Sequence, residues 1–163
     1  MTNIEKSGWN INKIGDINHQ NMSPPFIRLA EYKIGAKGDV ISLYDFRIKQ
    51  PNKEHLEPII LHSMEHILLE GFRHYIPENL INVAPMGCQT GFYIILLNYI
   101  KANEVINILT EVLKRACTLT NVPYSNDKQC GQAIFHDINK PKLLIEEILK
   151  GIENIKMVAD NGD

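Results

Sequence analysis

Two histidines spaced four residues apart constrain this chain more than any other feature of its sequence. They lie in the stretch Leu61-His62-Ser63-Met64-Glu65-His66-Ile67-Leu68. On a helix this spacing places both imidazole rings on one face, about one turn apart. Two neutral imidazoles in that arrangement can bind one metal ion, and Glu65 would lie beside the ion as a base or proton carrier. The order H-x-x-E-H occurs in one class of zinc hydrolases, so the stretch predicts a metal-binding helix.

The rest of the sequence predicts an α+β fold around this helix. Residues 26–34 and 40–48 are rich in β-branched and aromatic side chains, and a glycine-containing segment separates them as in a hairpin. Further strands are predicted over residues 80–85 and 92–99. Helices are predicted over residues 58–75, 103–117 (with Asn103 as the N-cap) and 141–157. We therefore expect a two-layer sandwich in which an antiparallel sheet packs against helices.

The size, charge and cysteine content of the chain predict a single domain without a nucleic-acid or membrane partner, in a reducing compartment. A chain of 163 residues is most simply one domain over residues 1–163, with an irregular polar arm over residues 1–25 and a frayed tail over residues 158–163. The net charge of −2 gives no electrostatic reason for a nucleic-acid or membrane partner, and no apolar run approaches the roughly 20 residues of a bilayer span. The N-terminus lacks the apolar core of a signal peptide. Three cysteines without a C-x-x-C pair favour a reducing cytoplasm.

A third metal ligand has to come from elsewhere in the chain. The candidates are Cys130, Cys88, an acidic side chain or another histidine. Cys130 follows a predicted loop and precedes Gly131, so its backbone is free to approach a neighbouring helix. Two imidazoles and one thiolate leave a fourth position for water or substrate, and this ligand set suits Zn(II), Fe(II) or Co(II). Cys88, in a glycine-bracketed turn, would then remain available as an acid or base.

The other histidines and the third cysteine give weaker signals. His55, His74 and His136 have no partner spacing, and we interpret them as solvated or structural residues. His19 is expected to be an exposed polar residue of the arm. Cys117 continues the apolar face of its predicted helix, which favours a small core residue.

Four blocks of the sequence resemble the LuxS family, the S-ribosylhomocysteine lyases. The blocks are Asp45-Phe46-Arg47 with Gln50-Pro51-Asn52-Lys53, His62-Ser63-Met64-Glu65-His66, Pro85-Met86-Gly87-Cys88-Gln89-Thr90-Gly91-Phe92-Tyr93 and Lys128-Gln129-Cys130-Gly131. Their order and spacing agree with the family over residues 15–155, and the block around Cys88 is highly specific. The resemblance implies a LuxS-like metalloenzyme fold.

The resemblance also implies a metal and a reaction. His62, His66 and Cys130 would hold a divalent metal, natively Fe(II) and often replaced by Zn(II), with water in the open position. The substrate would be S-ribosylhomocysteine, and Cys88 and Glu65 would move protons so that a carbonyl migrates along the ribose. β-Elimination would then give homocysteine and 4,5-dihydroxy-2,3-pentanedione, the precursor of the autoinducer-2 signal.

Substrate-binding residues and a dimer follow from the same resemblance. His19, Arg47 and Gly131 match family positions that contact substrate, and Arg73 matches a basic residue near the homocysteine end, where an arginine suits a carboxylate. Asn82 stands where the family usually has an aspartate that could face an amino group, and Asn18 replaces a second aspartate. Family members are homodimers whose two active sites lie at the interface and use residues of both chains.

Two other functions compete with the lyase. One is a zinc peptidase of the inverted H-x-x-E-H type, in which Glu65 activates water; such enzymes usually recruit a distant glutamate and have longer chains. The other is a catalytically silent metal-binding protein. Cys88 and Glu65 argue against it, because a structural site needs neither and would close its fourth position. Ligation by Cys130 would weaken the peptidase hypothesis.

Overall fold

A four-stranded antiparallel sheet packed against three helices forms the body of the protein. The computed structural model describes residues 6–99, 101–153 and 155. The strands are β1 (Phe26–Ile34), β2 (Val40–Arg47), β3 (Leu80–Pro85) and β4 (Gly91–Leu97), and the helices are α1 (Pro58–Tyr75), α2 (Ala102–Thr118) and α3 (Asn139–Lys150). The predicted α+β class with an antiparallel sheet is confirmed.

The strand order β1-β2-β4-β3 brings three chain segments to one end of the sheet. Arg47, the last residue of β2, pairs with Gly91, the first residue of β4. Pro85, the last residue of β3, pairs with Phe92. The short turn from Met86 to Thr90 therefore lies beside the end of β2, and any side chain on that turn is held next to Arg47.

The helical layer covers one face of the sheet and fixes the orientation of α1. Tyr44 and Phe46 point from β2 into this layer and are fully buried. Met64, Leu68 and Phe72 form the buried stripe of α1, and each such side chain stabilises the fold by about 1.5–3 kcal/mol. With this stripe turned toward the sheet, His62 and His66 are left on the flank of the helix, half-buried.

The face of β2 that points away from the helices carries two buried charged residues near the end of the strand. Strand alternation in the sequence places Asp45 and Arg47 on the face opposite Tyr44 and Phe46, yet these two charged residues are only 1% and 3% exposed. They form an ion pair of 2.8 Å, and Nε of Arg28 lies 3.4 Å from the same carboxylate. The N-terminal arm approaches them, because Arg28 donates to the backbone oxygens of Lys13 and Gly15 at 2.6 and 2.9 Å. The described part of the arm, from residue 6 onward, includes the short 3₁₀ helices Ile11–Lys13 and His19–Asn21.

Two predicted helix boundaries are wrong. Asn103 does not cap α2, since the N-cap is Lys101 and makes no side-chain capping bond. The third helix begins at Asn139, before the predicted start, and ends at Lys150. Its predicted end at residue 157 and the predicted tail over residues 158–163 lie outside the described residues. None of the described helices is long and apolar enough to cross a bilayer.

Candidate metal centre and neighbouring thiol

Four potential metal ligands converge beside α1. His62 and His66 project from consecutive turns of the helix, with ring centroids 4.9 Å apart, as their spacing predicted. Cys130 and His136 come from the segment between α2 and α3. The ligand atoms of all four residues lie within 4.8 Å of one another. The structure therefore brings together the three ligands inferred from sequence and adds a fourth donor.

Hydrogen bonds to backbone carbonyls orient the two helix histidines. Nδ1 of His62 lies 2.9 Å from the oxygen of Phe135, and Nδ1 of His66 lies 2.7 Å from the oxygen of Pro123. A carbonyl oxygen can only accept, so each Nδ1 carries the hydrogen and each Nε2 keeps a lone pair. Nε2 of His62 lies 3.4 Å from Sγ of Cys130. Histidine ligands of metals are commonly held in this way by a second hydrogen bond.

His136, interpreted from the sequence as a solvated or structural residue, lies within the group of potential metal ligands. Its Nε2 lies 3.3 Å from Sγ of Cys130, and its ring centroid lies 4.0 Å from that of His62. Burial, and then the rings of His62 and His66, lower the pKa of His136 to about 4, so the imidazole is neutral at pH 7. No helical spacing links His136 to His62, His66 or Cys130. The only sequence signal was its place shortly after Cys130 in the same loop.

Two of the donor separations match those of a mononuclear metal site. With metal–nitrogen bonds of about 2.0 Å and a metal–sulfur bond of about 2.3 Å, a tetrahedral site separates nitrogen from sulfur by about 3.5 Å. The separations of 3.4 and 3.3 Å from Cys130 to His62 and His136 agree with that value. Neutral imidazoles and one thiolate are ligands for a divalent ion of borderline softness. The group therefore fits a divalent metal.

A carboxylate and a glycine lie against this group. Glu65, next to His66 on α1, lines a cavity together with His62, Pro85 and Gly131. The residue is half-buried, so its carboxylate is accessible from the cavity. Because Pro85 ends β3 and leads into the turn that carries Cys88, the cavity is adjacent to the segment that holds the thiol.

Cys88 lies in a network that favours its ionised form. Arg47 donates to Oγ1 of Thr90 at 2.7 Å, and that oxygen lies 3.0 Å from Sγ of Cys88. With one lone pair occupied by Arg47, the Thr90 hydroxyl can donate its hydrogen to the sulfur. Asp45 holds Arg47 in place through two hydrogen bonds, of 3.0 and 2.8 Å. Local burial raises the pKa of the Cys88 thiol, but the hydrogen bonds with Thr90 and the charge of Arg47 outweigh it, and the net pKa lies below the ordinary value.

We expect Cys88 to be alkylated by iodoacetamide at a lower pH than an ordinary thiol, because the thiolate is the reactive form. Thr90→Val removes the hydroxyl while nearly preserving the shape of the side chain. The pKa of Cys88 should then rise, so the pH midpoint of alkylation should move upward. Mass spectrometry of the Cys88 peptide after timed alkylation measures this midpoint. Thr118→Val, at the exposed end of α2, is the matched control and should change nothing; a midpoint unchanged in Thr90→Val would contradict the network.

The remaining substrate-binding residues inferred from sequence are His19, Arg73 and Asn82. His19 is exposed, as expected, and lines one cavity with Cys88 and a second with Arg47. Arg73, at the end of α1, lies over the ring of Tyr124 at 5.6 Å. Asn82 lies apart from the metal ligands, because it pairs with Ile95 on the sheet face away from the helices. Thr90, Asp45 and Ser63 were not singled out by sequence reasoning, since their roles depend on contacts made only in the fold.

The fold and the site define a class of protein: an α+β metalloprotein with a mononuclear histidine–cysteine centre near an activated thiol. The chain belongs to the LuxS family, since the family model described as S-Ribosylhomocysteinase (LuxS) matches residues 15–158. It is 42% identical over 147 residues to the S-ribosylhomocysteine lyase of Macrococcus caseolyticus, covering 90% of this chain and 91% of that protein. The S-ribosylhomocysteine lyase of Listeria monocytogenes is 42% identical over 134 residues, or 82% and 86% of the two chains.

Proposed function

We propose that this protein is an S-ribosylhomocysteine lyase, a carbon–sulfur lyase. The observation that carries the proposal is the convergence of His62, His66 and Cys130 beside the carboxylate of Glu65. The LuxS relatives carry the same functional name and match most of the chain. An activated thiol at Cys88, near the same end of the sheet, supplies a second group that can exchange protons.

The proposed metal ligands are His62, His66 and Cys130, and we infer Fe(II) as the native ion, with Zn(II) or Co(II) able to replace it. A divalent metal bound there would act as a Lewis acid, polarising a carbonyl oxygen of the substrate and acidifying the adjacent C–H bonds. The carbonyls of Phe135 and Pro123 contribute by holding the Nε2 lone pairs of the two histidines toward this position.

Cys88 and Glu65 are the proposed proton carriers. One takes the C2 proton of the ribosyl aldehyde, and proton return at C1 leaves the carbonyl at C2. A second round of the same exchange moves the carbonyl to C3. Removal of the C4 proton then expels the sulfur from C5, so the C–S bond breaks, a C4–C5 double bond forms, and the homocysteine thiolate is protonated. The remaining enol rearranges to 4,5-dihydroxy-2,3-pentanedione without addition of water.

The proposed substrate contacts surround these carriers. His19 and Arg47 share a cavity, and Arg47 is positioned by Asp45, so its guanidinium can keep Cys88 ionised. Gly131 lines the cavity of Glu65, where its small size leaves room for a sugar. We infer that Arg73 binds the carboxylate of the homocysteine moiety.

We infer a homodimer from the sheet face that the helices leave uncovered. On this face Ile41 pairs with Leu97, Leu43 pairs with Ile95, and Tyr93 follows on β4. Ile41 and Tyr93 are 46% and 37% exposed, so the strip is apolar and open to solvent. Contiguous exposed apolar surface of this kind is typical of protein–protein interfaces. Asn82 lies beside Ile95 on the same face, where we infer that it faces substrate in a site shared by two chains.

The three free cysteines accord with the cytoplasmic location that we propose.

The lyase proposal is tested by the release of homocysteine. Protein purified anaerobically and loaded with Fe(II) or Co(II) is mixed with S-ribosylhomocysteine, and the free thiol is followed with a chromogenic disulfide. We expect thiol release, and light scattering of the same sample should give about twice the 18.6 kDa of one chain. No thiol release from fully loaded protein would refute the lyase. Cleavage of a peptide under these conditions would support the zinc peptidase instead.

A further inference from the structure

Side-chain hydrogen bonds fasten the N-terminal arm to the sheet at two places. At the first, Nη1 of Arg28 on β1 donates to the carbonyl oxygens of Lys13 and Gly15, at 2.6 and 2.9 Å. At the second, the side chain of Gln50, which follows β2, donates to the carbonyl oxygen of His19 at 3.1 Å. Arg28 therefore holds the arm just before the segment that carries His19.

The guanidinium of Arg28 also approaches the ion pair beside Cys88. Its Nε lies 3.4 Å from Oδ2 of Asp45, and the same oxygen accepts from Nη2 of Arg47 at 2.8 Å. The side chains of Arg28, Asp45 and Arg47 are 13%, 2% and 4% exposed. Nε of Arg28 is buried and has no hydrogen-bond partner among the described residues, so charge is what joins it to the carboxylate. One carboxylate therefore lies between two guanidinium groups.

This arrangement leaves an uncompensated positive charge next to the thiol. The two arginines and the aspartate carry a net charge of +1, and Nη1 of Arg47 lies 3.7 Å from Sγ of Cys88. A buried charge needs a compensating charge, and a thiolate at Cys88 supplies it. Without Arg28, the carboxylate of Asp45 would neutralise Arg47, and the attraction between Arg47 and the thiolate would weaken.

Other titratable side chains also line the cavities around this cluster. The cavity of Cys88 is lined by the exposed residues His19, Lys53, Glu54 and His55, and that of Arg47 by the exposed residues Asp16, Glu31 and Tyr93. Glu65, on α1, is half-buried in the cavity that Pro85 also lines. Solvent screens the exposed charges, and every one of these groups is retained in the variants below. A change in the ionisation of Cys88 in those variants would therefore report the loss of Arg28.

We propose that Arg28 is a positioning residue for Cys88. It shares the carboxylate of Asp45, so the positive charge of Arg47 stays available to the thiolate, and its hold on the arm keeps His19 beside the same cluster. The proposal rests on the proposed lyase function only where it treats Cys88 as a proton carrier and His19 as a substrate contact. One side chain thus serves both the thiol and the arm.

The pH dependence of alkylation by iodoacetamide tests the effect on the thiol. Arg28→Met removes the charge but keeps an unbranched side chain, and the midpoint for Cys88 should rise by about 0.5–1 pH unit, less than the roughly 1–3 pH units produced by an opposite charge within 4–6 Å. Arg28→Lys keeps the charge and should restore most of the wild-type midpoint. The matched control is Arg115→Met, which breaks a two-bond ion pair with Glu70 between α2 and α1 and should leave the midpoint unchanged. An unchanged midpoint in Arg28→Met, or an equal rise in Arg28→Met and Arg28→Lys, would overturn the proposed charge sharing.

Trypsin tests the hold on the arm, because it cleaves the peptide bond whose carbonyl, that of Lys13, accepts from Arg28. Arg28→Met should release the peptide ending at Lys13 at least about tenfold faster, since a lost hydrogen bond to a charged group favours local opening by about that factor. Arg115→Met should be cleaved there at the wild-type rate. A wild-type rate of cleavage after Lys13 in Arg28→Met would overturn the proposed hold on the arm.

A second neutral variant covers poor folding of the first. If circular dichroism shows that Arg28→Met is not folded, Arg28→Gln replaces it with the same expected midpoint and cleavage rate. Neither measurement requires turnover, so failure of the lyase proposal is recognised separately, as absence of homocysteine release by the unaltered protein.

Discussion

Replacing Cys88 with alanine is expected to lower the rate of homocysteine release by at least about 10³-fold, within the range attributed to general acid–base groups. The variant should keep its metal, since Cys88 is not among the four clustered donors. Its stability should change little, because the residue is exposed. Alanine has no thiolate, so the group whose ionised form is stabilised by the Thr90 hydroxyl and the Arg47 guanidinium is absent, and no proton carrier remains at this position. Homocysteine release and metal content, measured on the same sample, check both expectations.

Two further cysteine variants separate catalysis from metal binding. Cys130→Ala should lose both metal and turnover, because it removes the anionic ligand between His62 and His136. Cys117→Ala is the matched control. This half-buried thiol donates to the carbonyl of Leu113 in its own helix, so metal content and turnover should both stay near the wild-type values. Equal metal content in the Cys88 and Cys130 variants would contradict the ligand assignment, and full turnover in Cys88→Ala would remove this residue from the mechanism.

Sequence periodicity was sufficient to predict the parts of the fold that depend on local pattern. Helix α1 was predicted with the bounds that the structure gives, because Pro58 opens it and its apolar stripe has helical spacing. The same helix places His62 and His66 on one face by its own geometry. The burial of Asp45 and Arg47 was missed, because it depends on Arg28 and on an arm that reaches them from elsewhere in the chain. Alternation along a strand describes which face a side chain is on, not what covers that face.

His136 shows where sequence reasoning about the site ends. The helix pair has a fixed spacing, whereas a potential donor in a loop can stand at almost any distance along the chain from its partners. What aligns His136 is a hydrogen bond to Ser63, a residue that lies between the two helix histidines and that no metal motif requires. Oγ of Ser63 donates to the carbonyl of Ile59, accepts the backbone N–H of Asp137 and lies 3.3 Å from Nδ1 of His136. These contacts could not be predicted from sequence, because Asp137 and His136 meet Ser63 only in the fold.

The predicted consequence of Gly91→Ala is a loss of about 3 kcal/mol of stability, the upper part of the range for overpacking. Gly91 opens β4 and pairs with Arg47 of β2. A methyl group there would collide with the carbonyl oxygen of Phe46 and lie 2.9 Å from Cα of Arg47. Both are backbone atoms of the neighbouring strand, so no side-chain rotation relieves the overlap. The melting temperature should fall by roughly 6–12 °C, at about 2–4 °C per kcal/mol for a chain of this size.

The turn before β4 supplies its own control for this prediction. A methyl group on Gly87 would meet no atom of the described residues within 4 Å, so Gly87→Ala should melt within about 2 °C of the wild type, as for ordinary surface changes. The strand separation forced by Gly91→Ala should also move Arg47 away from Thr90, because both flank the same backbone contact. The alkylation midpoint of Cys88 should therefore rise in Gly91→Ala. If Gly91→Ala and Gly87→Ala melted at the same temperature, the predicted backbone collision at Gly91 would be contradicted. An alkylation midpoint of Cys88 unchanged in Gly91→Ala would show that the close approach of β2 and β4 does not hold the thiol network in place.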